Sequence, residues 1–166
     1  MNRVRAALGM LIAAAAWAQP DAVIRSFLAA PSAVSFHSAD PDASAANPSP
    51  VLVTFELNGK QNRNWWLRVR SDSTNLLGCS FLPAAALRVA CASVSVNVSS
   101  GPGGTGSCTP AINLSTSDQV LAQGRQSRDW GYYTITLAIA FQDTWRYQAP
   151  AGNSCSTNLV YTLDAP

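Results

Sequence analysis

Histidine is almost missing from this chain: His37 is the only one among 166 residues. Chemistry that relays a proton through imidazole therefore has one place to sit, and no G-x-S-x-G elbow accompanies the many serines. His37 is read as a solvent-exposed loop residue. Carboxylates are few as well: Asp21, Asp40, Asp42, Glu56, Asp72, Asp118, Asp129, Asp143 and Asp164. Most lie in turn-like sequence, where aspartate hydrogen-bonds its own backbone; Glu56 alone falls within a strand-like run, on the face opposite Phe55. A glycosidase needs two opposed carboxylates roughly 5–10 Å apart, and no such pair stands out. No catalytic residues are expected.

Metal-ligand spacing is also absent. The four cysteines, Cys79, Cys91, Cys108 and Cys155, contain no C-x₂₋₄-C pair, and with one histidine a disulfide reading is preferred to zinc. Asp40-Pro41-Asp42 offers calcium two carboxylates but no Gly-spaced loop follows it. Neither a metal nor another cofactor is expected.

Beyond residue 18 no stretch reaches the ~18 uninterrupted apolar residues that a spanning helix requires. The first eighteen residues read as a secretory signal peptide: Arg3 and Arg5, an apolar run from Leu8 to Ala16, and a small-x-small site at Ala16-Trp17-Ala18. Cleavage after Ala18 starts the mature chain at Gln19. It removes two basic residues and no acidic one, leaving nine of each sign. A neutral mature chain gives no reason to expect nucleic acid or an anionic membrane as partner.

What remains, residues 19–166, is long enough for one domain with a core and is punctuated at short intervals by Gly, Pro, Ser, Thr and Asn. The organising stretch is Val51 to Arg70, VLVTFELNGKQNRNWWLRVR. Val51, Val53, Phe55 and Leu57 alternate, Asn58-Gly59 turns the chain, and Trp65, Leu67 and Val69 resume the alternation, which predicts a β-hairpin. Its apolar face needs a second layer, and the alternating runs Tyr132–Phe141 and Thr157–Leu163 are suited to supply it. The fold class expected is all-β, an antiparallel sandwich of Ig-like or related topology.

Other segments fill in this picture. Asp21 to Ala30 fits either a helix or a strand. Ser32–Phe36 reads as an early edge strand, and 37–50 as a Pro/Ser/Ala-rich loop. Leu76 to Ala92 reads as two strands around a Pro83-Ala corner, with Val94, Val96 and Val98 continuing the second. Residues 99–107 form a Gly-rich loop anchored by Cys108; Ile112–Leu114 and Val120–Ala122 are brief strands. In YYTITLAIAF, residues 132–141, Tyr133, Ile135, Leu137, Ile139 and Phe141 share the core face, and the small residues Ala138 and Ala140 share the other. Trp145–Ala149 is a further short strand. Export to an oxidising compartment predicts two disulfides. Of three possible connectivities Cys79–Cys91 with Cys108–Cys155 is favoured, because the first closes a local loop and the second ties the Gly-rich segment to the last strand.

Two portions resemble known surface modules. PSAVSF, VLVTFEL and NWWLRV, in that order, are similar to the opening strands of bacterial Ig-like modules of the BACON type. The closing LVYTLDAP, with Trp65-Trp66-Leu67 as an early partner, looks like WxL surface domains, although those carry no comparable set of four cysteines. The resemblance implies a secreted sandwich that attaches to cell-surface glycan, and it supplies no catalytic residues.

Binding candidates follow from strand parity. If Trp65, Leu67 and Val69 face the core, Trp66, Arg68 and Arg70 face outward together. A tryptophan flanked by guanidinium groups can stack on a sugar ring and hydrogen-bond its hydroxyls, or the trio can simply cover and solubilise a strand. Trp145 and Tyr147 with Arg146 permit the same two readings. The arm 19–36 can dock on another subunit's sheet or form the first strand of its own. Asn97-Val98-Ser99 and Asn113-Leu114-Ser115 are glycosylation sequons. The expectation is a secreted, non-catalytic adhesion or envelope module at the cell surface or in the periplasm, its partner another protein subunit or surface glycan.

Overall fold

The computed structural model describes residues 22–32, 45–46, 50–60, 63–98, 103–141 and 155–166, with the backbone alone at Ala45, Ala46, Cys79 and Ser80. Among them the elements are strands: β1 (Val23–Ala30), β2 (Ala45–Ala46), β3 (Val51–Asn58), β4 (Asn64–Ser71), β5 (Asn75–Leu76), β6 (Cys79–Pro83), β7 (Leu87–Val98), β8 (Ser107–Cys108), β9 (Ile112–Asn113), β10 (Gln119–Arg125), β11 (Gly131–Phe141) and β12 (Leu159–Asp164), with one 3₁₀ turn at Ala84–Ala86. The larger sheet has the order β1-β3-β11-β7-β9, with β2 also beside β11; the smaller is β12-β4-β10-β8, and β5-β6 form a separate pair. The pairings between these strands are antiparallel.

The predicted hairpin does not form. β3 lies between β1 and β11 in the larger sheet, whereas β4 lies between β10 and β12 in the smaller. The chain passes from one sheet to the other between Asn58 and Asn64, where Gly59 N–H donates to the Ser127 carbonyl at 2.9 Å and Arg63 N–H to the Lys60 carbonyl at 2.8 Å. The crossing is favoured because each arm has one apolar face. Placed in different sheets, Val51, Val53, Phe55 and Leu57 meet Trp65, Leu67 and Val69 in one core. Correspondingly, β11 joins β3 and β12 joins β4, so each layer receives one of the two later runs.

At the centre of that core Phe55 stacks on Tyr133, its direct cross-strand neighbour, with centroids 4.9 Å apart. Trp65 from the smaller sheet meets both rings edge-on, at 5.4 and 5.3 Å. These arrangements match the quadrupole preference of aromatic groups. The Trp65 indole N–H donates to the Thr105 carbonyl at 3.1 Å, which brings residues 103–106 down over the aromatic cluster. Gly124 permits this: a Cβ there would collide with the Thr105 carbonyl. Burial pushes the phenols of Tyr133 and Tyr161 up to about 12.

Parity breaks in the sequence correspond to bulges. Leu87, Val89 and Cys91 are odd while Val94, Val96 and Val98 are even, and the β7–β11 register shifts between Cys91 and Ser93. In β10, Leu121 and Ala122 are both buried because the register with β4 shifts between Val120 and Ala122. The Pro83-Ala corner is present as the 3₁₀ turn between β6 and β7.

Cys91 is bonded to Cys108, which corrects the favoured pairing of Cys79 with Cys91 and Cys108 with Cys155. The corner at Ala84–Ala86 separates β6, paired with β5, from β7 in the larger sheet, so Cys79 and Cys91 do not close a local loop. Cys91 instead meets Cys108 of β8, joining the two sheets with a Cα–Cα distance of 5.3 Å. The segment 21–30, open between helix and strand, is strand β1 from Val23, and it pairs with β3 of its own chain. Most of the expected edge strand Ser32–Phe36, together with the expected signal peptide, His37, Asp40, Asp42 and the expected Trp145–Ala149 strand, lies outside the described residues.

A polar clasp joins the end of β4 to the approach of β12. Buried Ser71 shares a 2.7 Å hydroxyl bond with Thr157, and Asp72 accepts from Asn158 Nδ2 at 2.5 Å, Asn158 N–H at 3.4 Å and the Thr157 hydroxyl at 3.3 Å. The Asn158 side chain, above all, holds the Asp72 carboxyl below its ordinary 3.8. A depressed folded-state value contributes stability above the unfolded-state pKa and loses it as pH falls through the folded one. Stability should therefore decline below about pH 4, and Asp72→Asn should flatten that decline in urea unfolding measured across the acid range.

Candidate binding faces

Trp66, Arg68 and Arg70 do point outward together from β4, each half-buried between flanking strands. Cross-strand register sets Trp66 in a row with Asp164 of β12, Gln123 of β10 and Ser107 of β8. An open hollow of about 200 Å³ beside it is lined by Asn64, Trp66, Ser107, Gln123, Gly124 and Arg125. The two arginines are engaged, however. Arg68 Nε lies 2.6 Å from Asp164 Oδ2, an ion pair without a well-aligned N–H···O bond, and Arg70 Nε is 3.5 Å from Asp118 Oδ1. Sequence spacing could not reveal this, because Asp118 and Asp164 are about fifty and a hundred residues away. The trio is thus one aromatic ring with two neutralised cations.

The outer face of the larger sheet holds a second group. Register aligns Arg25 of β1, Glu56 of β3, Tyr132 of β11 and Asn97 of β7 in one row across four adjacent strands. Trp130, two residues before Tyr132, has the Arg25 guanidinium carbon 3.9 Å from its ring centroid. Glu56, Asn97, Trp130 and Tyr132 line an open hollow of about 390 Å³. Tyr132 is 45% exposed. The signal for this row was present as parity: Glu56 and Tyr132 oppose their core-facing neighbours. What the sequence did not show was that β1, β3, β11 and β7 are adjacent.

No known family, curated protein or solved structure matches this chain. Among the described residues no three His, Cys, Asp or Glu side chains converge as a metal site, and no helix is long and apolar enough to cross a membrane. Trp145, Arg146 and Tyr147 lie outside the described residues.

The edge of the larger sheet is a further surface. Among the described residues β1 pairs with β3 alone and has no strand on its other side. Its side chains are exposed on both faces: Val23 51%, Ile24 39%, Phe27 40% and Leu28 60%. Ser26 adopts φ 56° at the bulge between Arg25 and Leu28, a left-handed conformation uncommon for serine.

Proposed function

We propose that this chain is an exported, non-catalytic β-sandwich of Ig-like or related type, acting at or outside the cell surface as a structural or adhesive unit that associates with a second copy of itself. The observation that carries this reading is β1, which among the described residues pairs with β3 alone and carries exposed apolar side chains. Such an edge is a template for pairing. Two β1 edges set antiparallel about a two-fold axis between Ser26 and Phe27 place each Arg25 opposite a Leu28, so no like charges meet. The bulge at Ser26 divides the ladder into two short stretches, which makes a weak, concentration-dependent contact. The likeness to BACON and WxL modules is in keeping with a surface location.

Export is supported by the Cys91–Cys108 bond, since disulfides persist in oxidising compartments. A second bridge, Cys79–Cys155, completes the pair. Leu77 and Ser156 exchange backbone hydrogen bonds at 2.7 and 3.0 Å, and Cys79 lies opposite Leu76 in the β5–β6 pair, so the two backbones approach at this point. Non-reducing peptide mapping should recover Cys91–Cys108 and Cys79–Cys155; a Cys79–Cys91 peptide would overturn both.

Light scattering of residues 19–166 over a concentration series tests the assembly. Mass should rise with concentration, and Leu28→Lys should hold the chain monomeric. A wild-type chain monomeric at every concentration would sink the reading. Glycan binding at Trp66 is the second reading, favoured by the hollow beside it, and loss of a polysaccharide-induced fluorescence shift in Trp66→Ala is its test.

A further inference from the structure

We propose that the outer face of the larger sheet carries a binding site for a neutral glycan, centred on Tyr132 and Glu56. It rests on the surface-module reading only for where such a glycan is met.

Two chemical features are needed to hold an uncharged sugar: an aromatic surface for its C–H face, and hydrogen-bonding groups that its hydroxyls can reach. Tyr132 supplies an exposed ring beside Trp130. Trp130 is pre-set, because Arg25 stacks on it at 3.9 Å and a cation over an indole resists rotation of the ring. A site ordered before binding loses less entropy when it is filled. The adjacent strands repeat at ~4.8 Å, so the row Arg25, Glu56, Tyr132, Asn97 spans about 14 Å. That length accommodates two to three pyranose units laid across the strands.

The polar groups of the row differ from those of the Trp66 face. Arg68 and Arg70 are paired with carboxylates. Among the described residues the Glu56 carboxylate, the Asn97 amide and the Tyr132 hydroxyl make no side-chain hydrogen bond or ion pair to protein, and they border the same hollow. Their hydrogen-bonding capacity is thus open to a ligand. The sign of charge narrows its class. The free charge at the centre is the negative Glu56, while the one cation in the row is drawn onto Trp130. A carboxylate accepts two sugar hydroxyls well and repels a uronic or sulfated sugar. The outward neighbours in the next rows, Thr54, Thr134 and Ser95, are hydroxyls that extend the platform without adding charge.

The test uses the chain 19–166 with cellohexaose, laminarihexaose, xylohexaose and mannohexaose as neutral probes and oligogalacturonate as the acidic one, read by calorimetry and by tryptophan emission. At least one neutral probe should bind, and oligogalacturonate should not. Tyr132→Ala and Glu56→Gln should each weaken binding by about tenfold or more, and Tyr132→Phe should retain most of it. These positions are exposed or half-buried, so the variants should keep the wild-type circular dichroism. Binding by none of the neutral probes, preference for the acidic one, or loss in Trp66→Ala with retention in Tyr132→Ala would each overturn the proposal. The light-scattering result is independent of all of these, so the surface-module reading stands or falls separately.

Discussion

Trp65→Ala is expected to lower the unfolding free energy by about 3–5 kcal/mol, the range for removing a large aromatic from a packed core. Trp65 is fully buried, contacts Phe55 and Tyr133 edge-on, and donates its indole N–H to the Thr105 carbonyl. The substitution opens a void between the two sheets and removes the donor that holds residues 103–106 against the core. In a domain of about 5–15 kcal/mol total stability, that is a large share. Guanidinium unfolding followed by far-ultraviolet circular dichroism measures it. Trp65→Phe keeps part of the ring volume and should cost clearly less; a loss below about 1.5 kcal/mol in Trp65→Ala would contradict the central place given to this residue.

Gln126→Leu is expected to cost about 1–3 kcal/mol although it conserves volume, because it removes three part-buried hydrogen bonds, each of which contributes a net ~0.5–1.5 kcal/mol. The Gln126 side chain is buried and joins three separate parts of the chain. Its Oε1 accepts the Lys60 N–H at 3.0 Å, and its Nε2 donates to the Asn64 carbonyl at 2.9 Å and the Pro166 carbonyl at 3.0 Å. Gly59 leaves room for it, since a Cβ at that position would overlap Oε1. The variant should also increase amide exchange at Lys60, at the crossing between layers. Denaturant unfolding with hydrogen exchange separates the two effects, and an unchanged midpoint would show that water replaces these bonds without loss.

Strand content was legible because side-chain alternation is a local property. Val51 to Leu57, Trp65 to Val69 and Tyr133 to Ile139 bury the residues that parity assigns to the core, while the bulges in β7 and β10 appear only in the cross-strand register. The partners of each strand were not legible. The turn-like Asn58-Gly59 suggested a hairpin, but whether two amphipathic strands pair side by side or face each other depends on what else covers them, and here β11 and β1 occupy the flanks of β3. Cysteine pairing failed for the same reason. Separation along the chain favoured Cys79 with Cys91, while the corner at Ala84–Ala86 placed them in different sheets.

The outward direction of Trp66, Arg68 and Arg70 followed from parity alone, and the structure agrees. Their electrostatic state did not: Asp164 and Asp118 reach the arginines only because β12 lies against β4 and the approach to β10 lies nearby. The row Arg25, Glu56, Tyr132, Asn97 gathers residues from four strands spread over some hundred positions. By itself the sequence determined the β class and the apolar face of each main strand, since these rest on the two-residue period of the extended chain. The tertiary structure alone decided which strands are neighbours, which cysteines bond and which side chains form a common surface, because those depend on contacts between residues far apart in sequence.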